Sequence, residues 1–253
     1  MQSFNSRLLD YIINNYYLVL IMSQMKKDCG YAAADLVKDG QVLGLGTGST
    51  TLYFIEKVGM RVRDEGIEVI GIPTSFQSRL LARKWNIPLT DLSEHEIDLA
   101  VDGADEIDPD FNLIKGGGAA HTLEKIVDYS ADELVIIADE SKLVDVLGAF
   151  PLPIEIIPES LNPVTKALED MGGKVDIRMG QSKDGPVITD NGNFILDVAF
   201  GQIDNPIPME KELNTIPGVV ENGLFTEMVD KVIIGSKDGV KILIVFFMLF
   251  FFF

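Results

Sequence analysis

The sequence predicts an α/β protein, built on a mostly parallel sheet covered by helices, with a smaller α+β unit attached. In the first 150 residues, short apolar runs such as Ile97–Val101 alternate with segments of helical spacing, which is the pattern of a parallel sheet buried on both faces. After Phe150 the expected order is strand, helix, two strands, helix, strand. This βαββαβ order is typical of a ferredoxin-like unit.

Helices and strands alternate through the first part of the chain. The strand that begins at Ile67 is stopped by Pro73, and Ser75 is placed to cap the helix that follows. The helices expected here are Met25–Val37, Thr51–Val58, Phe76–Trp85 and Ala119–Tyr129. The expected strands are Gln41–Leu45, Ile67–Ile72, Ile87–Leu89, Ile97–Val101, Phe111–Ile114 and Leu134–Ala138.

The helix Ala119–Tyr129 carries both apolar and titratable residues. Its spacing predicts that Leu123, Ile126 and Val127 share the buried face, which leaves Glu124 beside that face. We expect His121 on the surface of this helix.

The smaller unit begins with the segment PLPIEIIP, whose three prolines indicate a linker and an edge strand. The pair Asn191-Gly192 is a strong hairpin signal, here between Val187-Ile188 and Phe194–Val198. The remaining elements are expected as helices at Asn162–Met171 and Met209–Leu213 and as strands at Lys174–Met179 and Gly218–Val220. The strands Lys231–Ile234 and Val240–Leu243 are expected to return to the first sheet.

Charge and cysteine content narrow the function classes. The chain has 39 acidic and 21 basic residues, for a net charge of -18, which argues against a nucleic-acid partner. An anionic substrate must then be held by a local cluster of lysines and backbone N–H groups. The single cysteine, Cys29, excludes an internal disulfide and fits a reducing compartment, so we expect a cytoplasmic protein. With only His95 and His121 beside it, the chain has no zinc-like ligand set.

The two ends differ from the rest of the chain. Residues 1–22 make a poor signal peptide, and Met22 or Met25 would serve as a start site. The apolar run Ile242–Phe253 is shorter than the about 20 residues that span a bilayer. We therefore interpret residues 1–22 as an N-terminal extension and residues 244–253 as a misread or frameshifted tail, rather than as a membrane anchor, because no basic flank supports anchoring.

A glycine-rich turn, Gly44–Thr50, stands between a predicted strand and a predicted helix. It is not a Walker A loop, because no lysine follows the last glycine, and it is not the dinucleotide fingerprint, because Ser49 occupies the position of the third glycine. What remains is a nest of N–H groups at a helix N-terminus with nearby hydroxyls, which suits one phosphate monoester. A tight turn without a ligand is the alternative.

The stretch Val101–Lys125 gathers titratable residues at the ends of two predicted strands. Asp102 and Asp105 follow the first strand, where they either cap a turn or face a ligand. Lys115 and three glycines follow the second strand. Three glycines destabilise regular structure, so they indicate a backbone that approaches a ligand, beside a lysine able to stabilise an oxyanion. Glu124 is then a general-base candidate rather than a solvated surface residue.

Together these features describe a site for a small phosphorylated polar substrate. The site has an anion nest, carboxylates able to move protons and lysines able to stabilise negative charge, but no paired nucleophile and no cofactor signature. Proton abstraction next to a carbonyl is the reaction class that needs this set.

Seven motifs extend the pattern over most of the chain: GTGST, DGADEID, KGGGAA with Glu124 and Lys125, ADESK, FPLPIEIIP, ITDNGNFILDV and IPGVVENGLF. In this order and spacing they resemble the type A ribose-5-phosphate isomerase family over Met25–Leu243. The resemblance implies a cofactor-free isomerase that interconverts D-ribose 5-phosphate and D-ribulose 5-phosphate in the non-oxidative branch of the pentose phosphate pathway. It also implies a Rossmann-like catalytic domain (23–150 and 226–243), a small α+β lid domain (151–225), and a homodimer or homotetramer.

The resemblance implies a role for each motif residue. Glu124 would move a proton between C2 and C1, Asp102 would assist ring opening, and Lys115 would stabilise the enediolate, with Asp105 beside them. Substrate contacts are implied for Lys26, Thr47, Gly48, Ser49, Thr50, Gly103, Ala104, Gly116, Gly117, Gly118 and Lys142. Of these, Ser49 and Thr50 would lie at the phosphate. No metal, nucleic-acid or membrane partner is implied.

Two other functions suit a sugar-phosphate site. An amino-sugar phosphate deaminase on the same fold is the first, and the combination of DGADE and KGGG argues against it. A non-catalytic sugar-phosphate sensor is the second, but the N-terminal segment is too short and too poor in Lys and Arg for a DNA-binding module. Turnover of ribose 5-phosphate against glucosamine 6-phosphate distinguishes the first, and tight binding without turnover would favour the second.

Overall fold

A computed structural model describes residues 21–244; the expectations for residues 1–20 and 245–253 lie outside the described residues. The helices are α1 (residues 21–34), α2 (Thr51–Glu65), α3 (Phe76–Lys84), α4 (His121–Tyr129), α5 (Leu161–Asp170) and α6 (Pro206–Leu213). The strands are β1 (Val42–Leu45), β2 (Ile70–Pro73), β3 (Leu99–Asp102), β4 (Glu106–Ile107), β5 (Leu113–Ile114), β6 (Leu134–Asp139), β7 (Leu152–Ile156), β8 (Lys174–Ile177), β9 (Phe194–Ala199), β10 (Val219–Asn222), β11 (Leu224–Phe225), β12 (Lys231–Ser236) and β13 (Gly239–Ile244). Two short 3-10 turns follow β6 (Glu140–Lys142) and β7 (Pro158–Ser160).

Six strands form the main sheet, in the order β13-β12-β6-β3-β1-β2. All neighbouring strands are parallel except β13, which runs antiparallel to β12 at one edge. The central strand β6 is buried along its whole length, which explains its uninterrupted apolar sequence. The predicted return of the last two strands to this sheet is confirmed.

Helices cover both faces of the main sheet. On one face, Phe54 and Ile55 of α2 pack with Leu43 and Ile137 from the strands. On the other face, Val127 of α4 packs in the same buried cluster as Ile136 of β6. The two cores explain why the inner strands carry apolar residues at consecutive positions rather than in alternation.

The chain reverses direction across the sheet between β1 and β3. From β1 it passes to β2 on one side, and from β3 it passes to β6 on the other. Such a switch point opens a crevice beyond the carboxyl ends of the two strands, where open α/β sheets bind ligands. The glycine turn after β1 and the DGAD segment after β3 therefore meet in one crevice.

The smaller sheet has the order β10-β7-β9-β8, with every pair antiparallel. With α5 and α6 in the crossovers, this is the βαββαβ arrangement that the sequence predicts. The prediction that residues 151–158 form a linker and an edge strand is wrong, because β7 pairs with a strand on each side.

Hydrogen bonds beyond the end of β10 explain how a proline is tolerated inside this sheet. The Gly223 N–H donates to the Pro153 carbonyl at 2.8 Å, and the Gly223 carbonyl accepts from the Lys115 N–H at 2.9 Å. The lysine therefore supplies the donor that Pro153 lacks, so no ladder bond is left unmade.

Two sequence-based expectations differ from the structure in detail. Ile87–Leu89 forms only a single bridge, between Leu89 and Gly71. Val187-Ile188 is not part of a strand, and β8 connects to β9 through residues 178–193. The predicted turn at Asn191-Gly192 is present, with the Gly192 N–H donating to the Thr189 carbonyl at 2.9 Å, and the side chains of Asn191 and Asn193 donate to Glu155 at 3.1 and 2.8 Å.

The elements also reach slightly into both expected terminal segments. Residues 21 and 22 are part of α1, and Ile244 is the last residue of β13. None of the helices built from the described residues is both long and apolar enough to cross a membrane.

Candidate active site

A pocket of about 150 Å³ lies in the crevice between β1 and β3. Fifteen residues line it: Lys26, Thr47, Gly48, Ser49, Thr50, Gly103, Ala104, Asp105, Lys115, Gly116, Gly117, Gly118, Glu124, Ala138 and Lys142. The structure thus brings every sequence-predicted site residue except Asp102 into the lining of one pocket. Ala138, at the end of β6, is the one lining residue that the sequence analysis missed, because an alanine in a buried strand carries no chemical signal.

One end of the pocket is the turn from Thr47 to Thr50, which leads directly into α2. Lys26 of α1 donates from Nζ to the Ser49 hydroxyl at 2.9 Å. Gly48 has a φ of +131°, a conformation that favours glycine. No protein acceptor within residues 21–244 takes the N–H of Ser49 or Thr50. Free N–H groups at a helix N-terminus beside a lysine form an anion site.

Asp102 lies beneath the pocket rather than in its wall. Its side chain is 0% exposed, and its Oδ1 accepts from the N–H of Gly103 at 2.7 Å and of Thr47 at 3.1 Å. Gly46 makes this placement possible, because a Cβ there would lie 2.3 Å from Asp102 Oδ1. Asp102 thus contacts the two loops that hold the pocket and is not among the residues that line it.

Lys115 is the centre of a buried charge cluster. Its Nζ lies 2.9 Å from Asp102 Oδ2, 3.4 Å from Glu124 Oε2 and 3.7 Å from Asp128 Oδ2. It also donates to the Gly103 carbonyl at 2.6 Å. The four side chains are each no more than 5% exposed, so water screens their interactions weakly.

Burial and mutual charge shift the protonation of this cluster. Desolvation raises the pKa of Glu124 to about 8, although the Lys115 ammonium opposes the shift. Desolvation also raises the pKa of Asp102 and of Asp128. Burial works to lower the pKa of Lys115, but the three carboxyls outweigh it and the net shift is upward. Near neutral pH the lysine is therefore charged, and the carboxyls around it share retained protons.

Asp105 and the glycine loop, Gly116–Gly118, form the opposite wall. Asp105 Oδ2 accepts from the Gly117 N–H at 2.7 Å, and Gly116 has a φ of +106°. A Cβ at Gly117 would lie 2.8 Å from the Asp105 carboxylate. This close approach explains why glycines follow Lys115. Lys142, in the 3-10 turn after β6, completes the wall.

Helix α4 buries its polar side, and the predicted apolar face is confirmed only for Val127, which is 3% exposed. Ile126 is 46% exposed, whereas His121 is fully buried and Glu124 is 4% exposed. The prediction of His121 as a surface residue is wrong. Burial lowers the pKa of this histidine to about 4, so it is neutral. The polar face is buried because the Lys115 ammonium, from a loop before the helix, lies against it.

Asp128 is the titratable residue that the sequence analysis missed. It lies one helical turn after Glu124, and the (i, i+4) spacing of two acidic residues was the available signal. It is 2% exposed, and neither carboxyl oxygen has a hydrogen-bond partner in the described part of the chain. No group of three or more His, Cys, Asp or Glu side chains among residues 21–244 is arranged to hold a metal ion; the cation among these carboxyls is Lys115.

Comparison with known proteins identifies the family. The family model for ribose 5-phosphate isomerase A (phosphoriboisomerase A) matches residues 70–239. A ribose-5-phosphate isomerase A from Methanothermobacter thermautotrophicus is 61% identical over 223 residues, which cover 88% of this chain and 99% of that protein.

Two solved structures have the same architecture. The ribose 5-phosphate isomerase A of Methanocaldococcus jannaschii superposes with a TM-score of 0.85 at 55% identity, covering 88% of this chain and 99% of that one. A D-ribose-5-phosphate isomerase in complex with phospho-erythronic acid gives 0.87 at 50% identity, with the same coverage of both chains. The chain therefore belongs to the ribose 5-phosphate isomerase A family and is an aldose–ketose isomerase.

Proposed function

We propose that the chain interconverts D-ribose 5-phosphate and D-ribulose 5-phosphate through an enediolate, with Glu124 as the base. The observation that carries this proposal is the position of Glu124: its carboxyl lines the pocket, is almost fully buried and lies 3.4 Å from the Lys115 ammonium. Burial raises its pKa to about 8, close to the value at which a general base works best near neutral pH.

The substrate phosphate binds at the turn from Thr47 to Thr50. The free N–H groups of Ser49 and Thr50, the α2 N-terminus and the Lys26 ammonium supply a local positive field in a chain of net charge -18. The sugar then extends from this end toward Lys115 and Glu124. In this pose the phosphate and the reacting carbons lie at opposite ends of one pocket.

The isomerisation moves one proton along the carbon chain. Glu124 takes the proton from C2 of the open aldehyde and returns it to C1 on the same face, while the charge spreads over the C1 and C2 oxygens. Lys115, together with the N–H of Gly118, stabilises that charge. Asp105, which lines the pocket, is the carboxyl placed to move the hydroxyl protons of the sugar. Asp102 acts through Lys115, whose ammonium it holds at 2.9 Å.

An assay with two substrates tests the proposal. Ribose 5-phosphate should be isomerised and glucosamine 6-phosphate should release no ammonia. Glu124→Gln should keep the affinity for ribose 5-phosphate and lose nearly all turnover, because the amide has the size of the carboxylate but accepts no proton. Near-normal turnover in this variant would remove Glu124 from the base role, and tight binding without turnover in the unmodified protein would favour a sugar-phosphate sensor.

We also propose the wider setting of the reaction. The substrate pair places the enzyme in the non-oxidative branch of the pentose phosphate pathway, in the cytoplasm. The proposed location is supported by the cysteine content, since Cys29 is the single cysteine of the sequence and the chain can form no internal disulfide. Measurement of the enzyme activity in cell fractions tests the location.

A homodimer or homotetramer is the proposed assembly. It is supported by apolar side chains on the outer face of α4, where Ile126 is 46% and Tyr129 is 78% exposed, since such patches commonly mark contacts between proteins. We propose the division into a catalytic domain (23–150 and 226–243) and a lid domain (151–225) on the basis of the six-stranded and the four-stranded sheets. Light scattering tests the assembly, and limited proteolysis between the two sheets tests the division.

A further inference from the structure

Arg178, the residue after β8, connects the smaller sheet to the glycine loop. Its guanidinium donates from Nε to Asp197 Oδ2 at 2.9 Å and from Nη2 to Asp197 Oδ1 at 2.5 Å. From Nη1 it donates to the Gly116 carbonyl at 2.8 Å and to the Gly117 carbonyl at 3.2 Å. One side chain thus fixes two consecutive carbonyls of the loop that follows Lys115.

These two carbonyls determine where the loop N–H groups point. In a trans peptide the C=O and the following N–H point in opposite directions. The Gly116 carbonyl faces Arg178, and the N–H of the same peptide group faces Asp105, to which Gly117 donates at 2.7 Å. The Gly117 carbonyl also faces Arg178, so the N–H of Gly118 points away from Arg178, and Gly118 lines the pocket. Within residues 21–244 this N–H has no acceptor.

We propose that Arg178 is a positioning residue of the isomerase: by holding the Gly116 and Gly117 carbonyls, it aims the Gly118 N–H at the oxygen that becomes negative in the enediolate. This inference rests on the proposed function of the pocket. Arg178 is not among the residues that line the pocket, so its proposed action is through the loop. Asp197 fixes the guanidinium through two bonds, so the smaller sheet takes part in the reaction by setting the geometry of the loop.

The residue type is specific to this task. A guanidinium presents several N–H donors in a rigid plane and can bond a carboxylate with one edge while other donors reach two carbonyls. A lysine at this position keeps the positive charge, but its ammonium lacks the planar fork. Arg178→Lys therefore separates the geometry of the contact from its charge.

The test compares Arg178→Lys with a matched variant, Arg63→Lys. Arg63 also bonds an aspartate through two donors, at 2.6 Å each to Asp64, but on the outer surface of α2. Arg178→Lys should lower kcat for ribose 5-phosphate by about tenfold to a hundredfold with KM changed by less than about threefold, since a small misplacement of a transition-state donor costs this much. Arg63→Lys should match the unmodified enzyme.

Two ligands separate positioning from a general structural role. Phospho-erythronic acid carries a planar, delocalised carboxylate that resembles the enediolate, so Arg178→Lys should weaken its binding by about the factor lost in kcat/KM. The binding of inorganic phosphate, which needs only the turn at Ser49, should not change. A kcat within twofold of the unmodified enzyme, or equal losses for both ligands, would overturn the proposal.

A second variant keeps the proposal testable if Arg178→Lys fails to fold. Asp197→Asn removes the charge that fixes the guanidinium and should give a smaller loss of the same kind, in kcat and in phospho-erythronic acid binding; unchanged values would also overturn the proposal. Failure of the proposed function is distinguishable, because it would appear as absent turnover in the unmodified enzyme. Active unmodified enzyme, inactive Glu124→Gln and fully active Arg178→Lys would contradict only the role of Arg178.

Discussion

Glu124 and Asp128 lie one turn apart on α4, and both carboxyls face the Lys115 ammonium, at 3.4 and 3.7 Å. Only Glu124 lines the pocket. The two carboxyls therefore share an electrostatic environment but differ in access to the pocket. Glu124 can reach a bound molecule, whereas Asp128 is a buried neighbour.

Asp128→Asn should retain turnover within about threefold. Burial raises the pKa of Asp128 well above its ordinary value, which favours the uncharged acid, and the amide has the same shape and no charge. Asp128→Ala should instead lower the free energy of unfolding by about 2 kcal/mol or more, because it leaves a cavity. Chemical denaturation and steady-state rates check both variants, and a loss above a hundredfold in Asp128→Asn would show that an ionised Asp128 is needed.

The pH dependence of the rate and of the stability should have opposite signs. Glu124 must be ionised to accept a proton, and burial raises its pKa to about 8, so kcat/KM should rise tenfold per pH unit below that value and level off above it. The pKa of Glu124 in the folded state lies above its ordinary value of 4.5, so the folded protein binds more protons than the unfolded chain between these two values. The contribution of Glu124 to stability is then present at low pH and lost as the pH rises toward 8.

Glu124→Gln is the control for the stability part of this prediction. The amide does not titrate, so the decline in the free energy of unfolding between about pH 5 and 8 should be shallower in this variant. The remaining slope would belong to Asp102 and Asp128, whose pKa values are also raised. A steeper decline than in the unmodified enzyme would contradict the assignment.

Gly46→Ala should inactivate the enzyme as well as destabilise it. The new Cβ would lie 2.3 Å from Asp102 Oδ1 and 2.5 Å from the Val101 carbonyl, so it displaces the carboxyl that holds Lys115. We expect a loss of about 1 to 3 kcal/mol in unfolding free energy, the usual cost of overpacking, and a loss of turnover of at least about a hundredfold.

The control for Gly46→Ala is Gly172→Ala. Gly172 has a φ of +90° and no atom within 4 Å of an added Cβ, so it costs about 1 kcal/mol through backbone strain alone. This variant should keep full activity at temperatures where it is folded. Equal activity in both variants would show that Asp102 tolerates displacement.

Lys26→Met should weaken substrate binding far more than turnover. The ammonium donates to Ser49 at 2.9 Å and lines the phosphate end of the pocket, and a hydrogen bond to a charged group contributes about 1.5 to 3 kcal/mol. KM should rise about tenfold or more, and the affinity for inorganic phosphate should fall in parallel. Lys27→Met is the matched control, since this neighbouring ammonium lies over the Tyr31 ring, 5.2 Å from its centroid, and should leave both values unchanged.

The sequence predicted which residues line the pocket, but it did not predict which of their side chains are buried. The spacing of DGADE, KGGG and GTGST follows strand ends, and strand ends at a switch point meet in one crevice, so these positions could be predicted. The burial of Glu124 and His121 on α4 could not, because helical spacing assigns the inner face to Leu123, Ile126 and Val127, of which only Val127 is buried. Lys115 determines which face of α4 is buried, because a buried ammonium needs carboxyls around it and Glu124 and Asp128 supply two of them.

The position of β7 was equally inaccessible from local sequence. Its prolines argue for an edge strand, since a proline removes one donor from a ladder. The missing donor is supplied by the Lys115 N–H, which bonds the Gly223 carbonyl. Lys115 follows β5 and lies far from β7 along the chain. The replacement of the proline's missing N–H by that of Lys115 depends on a tertiary contact, which local sequence patterns do not predict.

The bond from the Lys115 N–H to the Gly223 carbonyl also sets the order in which a growing chain can acquire activity. All lining residues of the pocket precede residue 143, yet the backbone of its central lysine is held by a residue near the end of the described chain. We expect a chain that ends before Gly223 to lack this bond to the Lys115 backbone, and therefore to have no activity although it carries every residue that lines the pocket.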